Sequence, residues 1–244
     1  MMNDTSRNVM RFTAWSAILG GILAYANVVL STMVTGSDAD MVLHGATMLA
    51  LPPDTRNLFR LSMLADIFGF YIAVLVIAGY FLHVFREELG ALYNMIAFAV
   101  GLYAVLGISG AAMQLAIYHP LAQLYAGGDD ATRSAAAAAW TTVANGTQNG
   151  LWWCEGPVVL FWAPIAANVL KNAGWRGSIL LKIVGWAFGL FFLFGFFPDL
   201  DALSNASEMV VVLVLPLWMV LFGWQLLRRA RKLPARLEAA GVTP

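Results

Sequence analysis

The sequence predicts an all-α integral membrane protein: one domain over residues 1–244, a six-transmembrane-helix bundle with both termini cytoplasmic. Three observations lead there. First, the 244-residue chain is 60% hydrophobic and 11% charged, with a mean hydropathy of +0.73, whereas a soluble domain carries about 25% charged residues. Second, six stretches reach the length a helix needs to cross hydrocarbon, roughly 20 apolar residues: Phe12–Val34, Leu61–Phe85, Ala91–Tyr118, Leu151–Leu170, Ser178–Phe197 and Met209–Leu227. Third, of the 14 Lys and Arg residues only Arg56, Arg60 and Arg133 fall on the side away from the termini. The excess of basic residues marks the cytoplasmic side, and a seventh helix would spoil the sorting. Strand-like alternation is absent, which argues against a β-barrel.

Taken in order, the first stretch is too long for a signal-peptide core and no A-x-A site follows it, so it reads as a retained helix. The connection from Thr35 to Arg60 is long. Its "MVLHGATMLAL" segment is apolar enough to lie on the membrane as a short interfacial helix. Pro52-Pro53 then stops that helix, and Asp54 or Thr55 is the expected cap of the next. The connection after the third stretch is the second long one. There Asp129 or Asp130 is the expected N-cap of an alanine-rich helix. At "NGTQNG" the helix either breaks or runs on into the fourth span. Pro157, Pro164 and Pro216 sit inside spans, and Pro157 removes the helical donor of the Trp153 carbonyl. Gly185 and Gly189 form a G-x-x-x-G step, and Gly20, Gly21, Gly101, Gly107 and Gly110 add small-residue patches; close helix packing accounts for them. The basic tail "RRARKLPAR" reads as a stop-transfer anchor able to touch anionic lipid.

Several function classes are excluded. A formal net charge of zero gives no case for a nucleic-acid partner. The single Cys154 rules out an internal disulfide or a Cys-rich metal site. No hydrolase, kinase, nucleotide-loop or zinc-protease motif is present, and no catalytic residue is assigned.

The chemistry that remains lies in a few polar residues within the spans. Asp66, Glu155, Gln114, His119 and Arg60 share one layer in the outer half, while the inner side has only His83, Arg86, Glu87 and Glu88 at a helix end. Counted from the span starts at 1.5 Å per residue, Asp66 and Glu155 lie roughly 6–8 Å below the outer edge. Three readings fit this layer. The groups reach for headgroups beside an interfacial pair, Trp152 and Trp153. Or they form a structural network in which Arg60 or Arg133 pairs with a carboxylate. Or they line an outward-half pocket for an ion, a lipid headgroup or a small polar molecule. A metal site would draw on His44 and His119 with the two carboxylates, although no H-x-x-x-H spacing supports it. The cofactor stays unknown.

Four segments together resemble a known family. They are "RFTAWSAILGGI", "NLFRLSMLADIFGFYIAVLVIAGYFLHVFR" with Arg60 and Asp66 six apart, "LFWAPIAANVLKNAG", and "GSILLKIVGWAFGL". The chain resembles, from first span to sixth, the bacterial membrane family catalogued as domain of unknown function 4386. The resemblance rests on layout and on the second span. It implies a multi-pass protein of a bacterial cytoplasmic (inner) membrane and supplies no activity. The family carries a histidine just before the fourth span; "TTVANGTQNG" has none here.

The expectation is a non-enzymatic bundle in the lipid bilayer that binds or transports a small ligand or ion through the outward-half layer. The alternatives are an accessory subunit with a membrane-protein partner, and an intramembrane enzyme acting on a lipophilic substrate.

Overall fold

A computed structural model describes residues 4–36 and 38–239; the side chains of residues 4, 5, 39 and 232–239 are outside that description. Any lipid contact of Lys232 and Arg236 in the basic tail therefore lies outside the described side chains. Among the described residues there are six long helices: α1 (Asp4–Thr35), α2 (Pro53–Val84), α3 (Leu92–Gly127), α4 (Asp130–Asn172), α5 (Ser178–Phe194) and α6 (Asp201–Ala239). No strand occurs among the described residues. Five helices are long and apolar enough to cross a membrane: Ser6–Thr35, Pro53–Val84, Leu92–Gly127, Asp130–Asn172 and Pro198–Arg231. The remaining apolar helix, α5, has 17 residues, about 26 Å.

Each helix packs on the next in sequence, and α1 closes the ring against α6. Small residues set the closest approaches. A methyl group at Gly20 would overlap Ala73, and one at Gly69 would overlap the Ala24 backbone, so α1 and α2 meet nearly backbone to backbone. Gly185 lies against Pro164 and Gly189 against Leu160, which makes the G-x-x-x-G step the α4–α5 contact. Gly101 differs: nothing lies within 4 Å of a methyl placed there.

Three helices are much longer than their apolar stretches. α3 runs through His119 and Pro120 to Gly127. α4 begins only three residues later, with Asp129 as N-cap accepting from the Thr132 N–H at 2.9 Å. The Thr132 side chain, together with that backbone bond, holds the Asp129 carboxyl below the usual carboxylate range. The second long connection is thus a tight turn between two extended helices. α4 also does not break at "NGTQNG". It continues through a π-helical turn, Thr147–Trp152, into Glu155–Asn172. At 43 residues it is about 64 Å long, roughly twice the hydrocarbon thickness. α2 carries a second π-helical turn at Ile67–Ile72. It starts at Pro53 with Pro52 in the capping position and no side-chain cap bond. Neither Asp54 nor Thr55 is the cap: proline is preorganised for the first helical position, and Asp54 sits in the first turn, where its charge suits the helix dipole.

The first connection forms a 3-10 turn, Ala39–Leu43, and a short helix, Gly45–Leu49. It folds onto the bundle and is not laid on a surface. Met48 and Leu49 are fully buried, and Gly45 meets the Ala137 carbonyl of α4 so closely that no side chain fits between them.

The buried apolar side chains form two clusters. The larger fills the end of the bundle nearest the chain termini, with Ile77, Phe81, Ile96, Trp162, Leu181 and Phe222 among its members. The smaller lies at the opposite, cap end and includes Met48, Phe59, Tyr118 and Trp140. Along α2 the clusters are separated between Met63 and Phe70, along α3 between Tyr103 and Ala111, and along α4 between Ala144 and Val159. Both π-helical turns fall in that seam.

Candidate functional site

The seam holds Asp66 and Glu155. α2 brings Asp66 to it on the face shared with Ser62 and Met63, all three buried. α4 brings Glu155 directly after its π-helical turn and the Trp153–Cys154 turn. Asp66 is 8% exposed and Glu155 3%. Their charges are close enough to interact, and no basic side chain contributes to the surroundings of either.

Two tyrosines complete the group. The Tyr71 hydroxyl sits against the Glu155 carboxylate as a donor, and Tyr71 also feels the charge of Asp66. Its ring lies 5.1 Å from that of Tyr103, whose hydroxyl donates to the Phe70 carbonyl at 3.3 Å. Tyr71 reaches this position because of the π-helical turn. Five residues of regular helix would put it about 140° around α2 from Asp66. An i→i+5 turn absorbs about one more residue per turn and swings Tyr71 back toward the same face.

α3 supplies the floor. Gly107, Gly110 and Gln114 recur at helical spacing on one face. A methyl group at Gly107 would overlap the Tyr71 ring, and one at Gly110 would overlap the Trp152 indole. The Trp152 N–H donates to the Gly107 carbonyl at 3.1 Å. Gln114, fully buried, donates from its amide nitrogen to the Thr147 hydroxyl at 2.6 Å, and Thr147 donates onward to α4 carbonyls at 3.0 Å.

The balance of donors and acceptors is lopsided. Asp66 Oδ2, Glu155 Oε1 and Gln114 Oε1 are all buried without a hydrogen-bond partner. Buried polar groups in folded proteins are almost always satisfied, and an unpaired buried charge is costly. Two vacant acceptors in the seam, and a third on Gln114 just to its cap side, make a place suited to something that donates or carries positive charge.

Other residues expected in this layer stand apart. His119 is exposed; five residues beyond Gln114, it lies about 140° around α3. Arg60 is exposed, about 120° from Asp66 on α2. Arg133 donates to the Tyr125 carbonyl at 3.2 Å and pairs with neither carboxylate. His44 is exposed between the 3-10 turn and the short helix. No group of three or more His, Cys, Asp and Glu side chains placed to hold a metal ion occurs among the described residues.

Trp152 and Trp153 turn toward different neighbouring helices and are half-buried. Trp152 packs on Gly110, and Trp153 stacks on Phe192 of α5 at 4.5 Å. The Trp153 carbonyl keeps a donor, accepting from the Gly156 N–H at 3.1 Å. Asp66 lies 13 residues into α2, about 20 Å from its start, and Glu155 is 25 residues into α4.

No family model matches the chain, and no curated protein or solved structure matches it either.

Proposed function

We propose that this chain is a six-span protein of a bacterial cytoplasmic membrane, with both termini cytoplasmic and the cap end outside, and that the seam around Asp66, Glu155 and Gln114 binds a small cationic or hydrogen-bond-donating ligand as part of binding or transport. The sorting of basic residues supports the orientation. Exposed Phe12, Leu19, Phe98, Val105, Trp186 and Leu217 give the bundle an apolar exterior suited to lipid. The resemblance to the family of domain of unknown function 4386 supports the bacterial setting.

One observation carries the functional reading: two buried carboxylates, near enough for their charges to interact, each keep a vacant oxygen and have no basic partner. Ionisable groups inside a membrane protein mark ion or substrate paths by default. π-helical turns, found here beside both carboxylates, recur at functional sites. A purely structural network would close its own hydrogen bonds, and this one does not. The expected chemistry is proton- or ion-linked binding, in which the occupant supplies the missing donors and compensates the like charges.

The test is a fluorescence titration of purified protein, using Trp152 as reporter, against pH and against sodium ion. Wild type responds to one of the two; Asp66→Asn and Glu155→Gln, each still folded by circular dichroism, shift the midpoint at least about tenfold, the loss of one charge-assisted contact. Unaltered titrations in both variants would remove the site from consideration.

A further inference from the structure

The Thr147 hydroxyl carries a single hydrogen. It donates that hydrogen to α4 carbonyls, with Val143 and Ala144 each at 3.0 Å. None is left for Gln114, so the 2.6 Å contact between the two side chains is made by an amide N–H of Gln114. The bonding network therefore fixes the amide, nitrogen toward Thr147 and oxygen away from it. That oxygen belongs to a side chain with no exposure and has no hydrogen-bond partner. The donors nearby are spent. One turn further along α3, the Tyr118 hydroxyl donates to the Met48 carbonyl at 2.9 Å. On the seam side, the Trp152 N–H donates to the Gly107 carbonyl at 3.1 Å. On α2, the Ser62 hydroxyl donates to the Phe59 carbonyl at 2.8 Å. None of them can serve Gln114 without opening another bond.

A second unpartnered oxygen stands near the same level. α2 and α3 are consecutive helices that pack on each other, and the Tyr71 ring of α2 lies against Gly107 of α3. From that contact toward the cap, Asp66 is five residues along α2 and Gln114 seven along α3. By helical rise these are about 7 Å and about 10 Å, so the two residues differ in level by less than a turn. Met63, three residues from Asp66, and Ala111, three residues from Gln114, belong to one buried cluster. Asp66 Oδ2 is buried and unpartnered as Gln114 Oε1 is. The two oxygens differ in chemistry. A carboxylate takes a proton or a cation. A neutral amide oxygen takes no proton near neutral pH, yet it accepts from N–H donors and ligates hard cations. With Asp66 8% exposed and Gln114 and Thr147 not at all, the surroundings suit a bare ion over an organic cation.

We infer that Asp66 and Gln114 together ligate a small monovalent cation, sodium or ammonium and not a proton, and that Thr147 is the positioning residue that keeps the Gln114 oxygen turned to it. This rests on the binding reading given above and narrows its ligand. Asp66 supplies the charge. Gln114 supplies a neutral oxygen, which separates a cation from a proton. Thr147 touches no ligand; it acts by preventing the amide from turning its NH2 group toward the ion.

Tryptophan fluorescence of the full chain in detergent is titrated with sodium chloride in one arm and ammonium chloride in a second, both at fixed pH with choline chloride holding ionic strength. A third arm varies pH alone. The responding salt identifies the ion. Gln114→Met, similar in size but without the oxygen, raises the midpoint about ten- to a hundredfold, the loss of a charge-assisted contact. Thr147→Val, the same shape without the hydroxyl, raises it about tenfold, and Thr147→Ser restores it to within about twofold. Because Thr147 acts through Gln114, Thr147→Val adds no further shift in the Gln114→Met background. A purely structural Thr147 would lower the melting temperature and leave the midpoint in place. The Thr147 pair carries the test if Gln114→Met does not fold. Wild-type midpoints in whichever of Gln114→Met and Thr147→Val fold, with Asp66→Asn still shifting, overturn the ligation by Gln114 and leave the carboxylate seam. A wild-type response to pH and to neither salt overturns the cation and also leaves the seam. No response in any arm overturns the seam and the inference together.

Discussion

Two buried regions one to two helical turns apart handle their polar groups in opposite ways. At the cap end, Phe59, Tyr118 and Trp140 pack ring against ring, with centroids 4.9 to 5.8 Å apart. The polar atoms of that cluster are closed: the Tyr118 hydroxyl donates to the Met48 carbonyl at 2.9 Å and the Trp140 N–H to the Val42 carbonyl at 2.8 Å. Both bonds bind the first connection down onto the bundle. In the seam below, Asp66 and Glu155 are buried too, yet each keeps a vacant acceptor, as does Gln114 at the border between the two regions. The first arrangement is what stability alone requires. The second costs stability, and the fold retains it with glycines cut to fit Tyr71 and Trp152 and with two π-helical turns that aim side chains inward. The contrast separates a structural cap from a working layer.

The largest effect that would sharpen this contrast belongs to the cap. Trp140→Ala removes a fully buried side chain and the donor that anchors Val42. A loss of about 3–5 kcal/mol is expected, read by denaturant unfolding in mixed micelles. The seam's residual ion response at a temperature where the variant is folded should change far less than its stability.

A middle-sized effect belongs to the floor of the seam. Gly107→Ala pushes a methyl group into the Tyr71 ring and is expected to cost about 1–3 kcal/mol by overpacking. It should also weaken the ion response, because Tyr71 moves from Glu155. Gly101→Ala is the control: with open space around it, it should be neutral or stabilise by up to about 1 kcal/mol through helix propensity. Equal destabilisation by the two would show that α3 tolerates no change anywhere and that the seam is nothing special.

The smallest effect is at the far tip of the cap. Asp129 is held below the usual carboxylate range by Thr132. The sign follows from linkage: its capping contribution is fully present above the unfolded-state value and is lost as pH falls through the lowered folded value. Amide exchange at Thr132 should accelerate in acid, below pH ~3.8, while the amide of Arg133, bonded to the Asp129 carbonyl at 2.9 Å, changes less.

Much of this was legible in the residues. Apolar runs located the cores of all six helices, and Asp129 followed from its capping chemistry. Asp66, Glu155 and Gln114 stood out because polar groups in spans are few. The rest was hidden for physical reasons. Helix ends were drawn where apolarity faded, at Tyr118 and Leu151, but α3 and α4 support each other through the cap and carry helix past that point. The first connection read as amphipathic and surface-bound, whereas Met48 and Leu49 find partners on α3 and α4 that no local pattern displays. Tyr71 and Tyr103 went unnoticed as neighbours of the carboxylates, and Thr147 as the partner of Gln114. For Tyr103 a signal existed, since Tyr103, Gly107, Gly110 and Gln114 recur at helical spacing. For Tyr71 none did, because regular periodicity places it on the wrong face and only the π-helical turn corrects it. His119 and Arg60 were included by depth alone; rotation around the helix excludes them.

The most direct measurement is the melting temperature of the double variant Asp66→Asn, Glu155→Gln against wild type, in one detergent at neutral pH without added salt, repeated with the responding ion. Replacing two buried carboxylates that have no basic partner by amides of the same shape removes a desolvation cost and still leaves an acceptor for the Tyr71 hydroxyl. The expected result is a melting temperature equal to or above wild type, with the ion-dependent rise seen in wild type gone. A melting temperature several degrees lower, with the ion-dependent rise intact, would make the seam a structural element like the cap and contradict its assignment as the working layer.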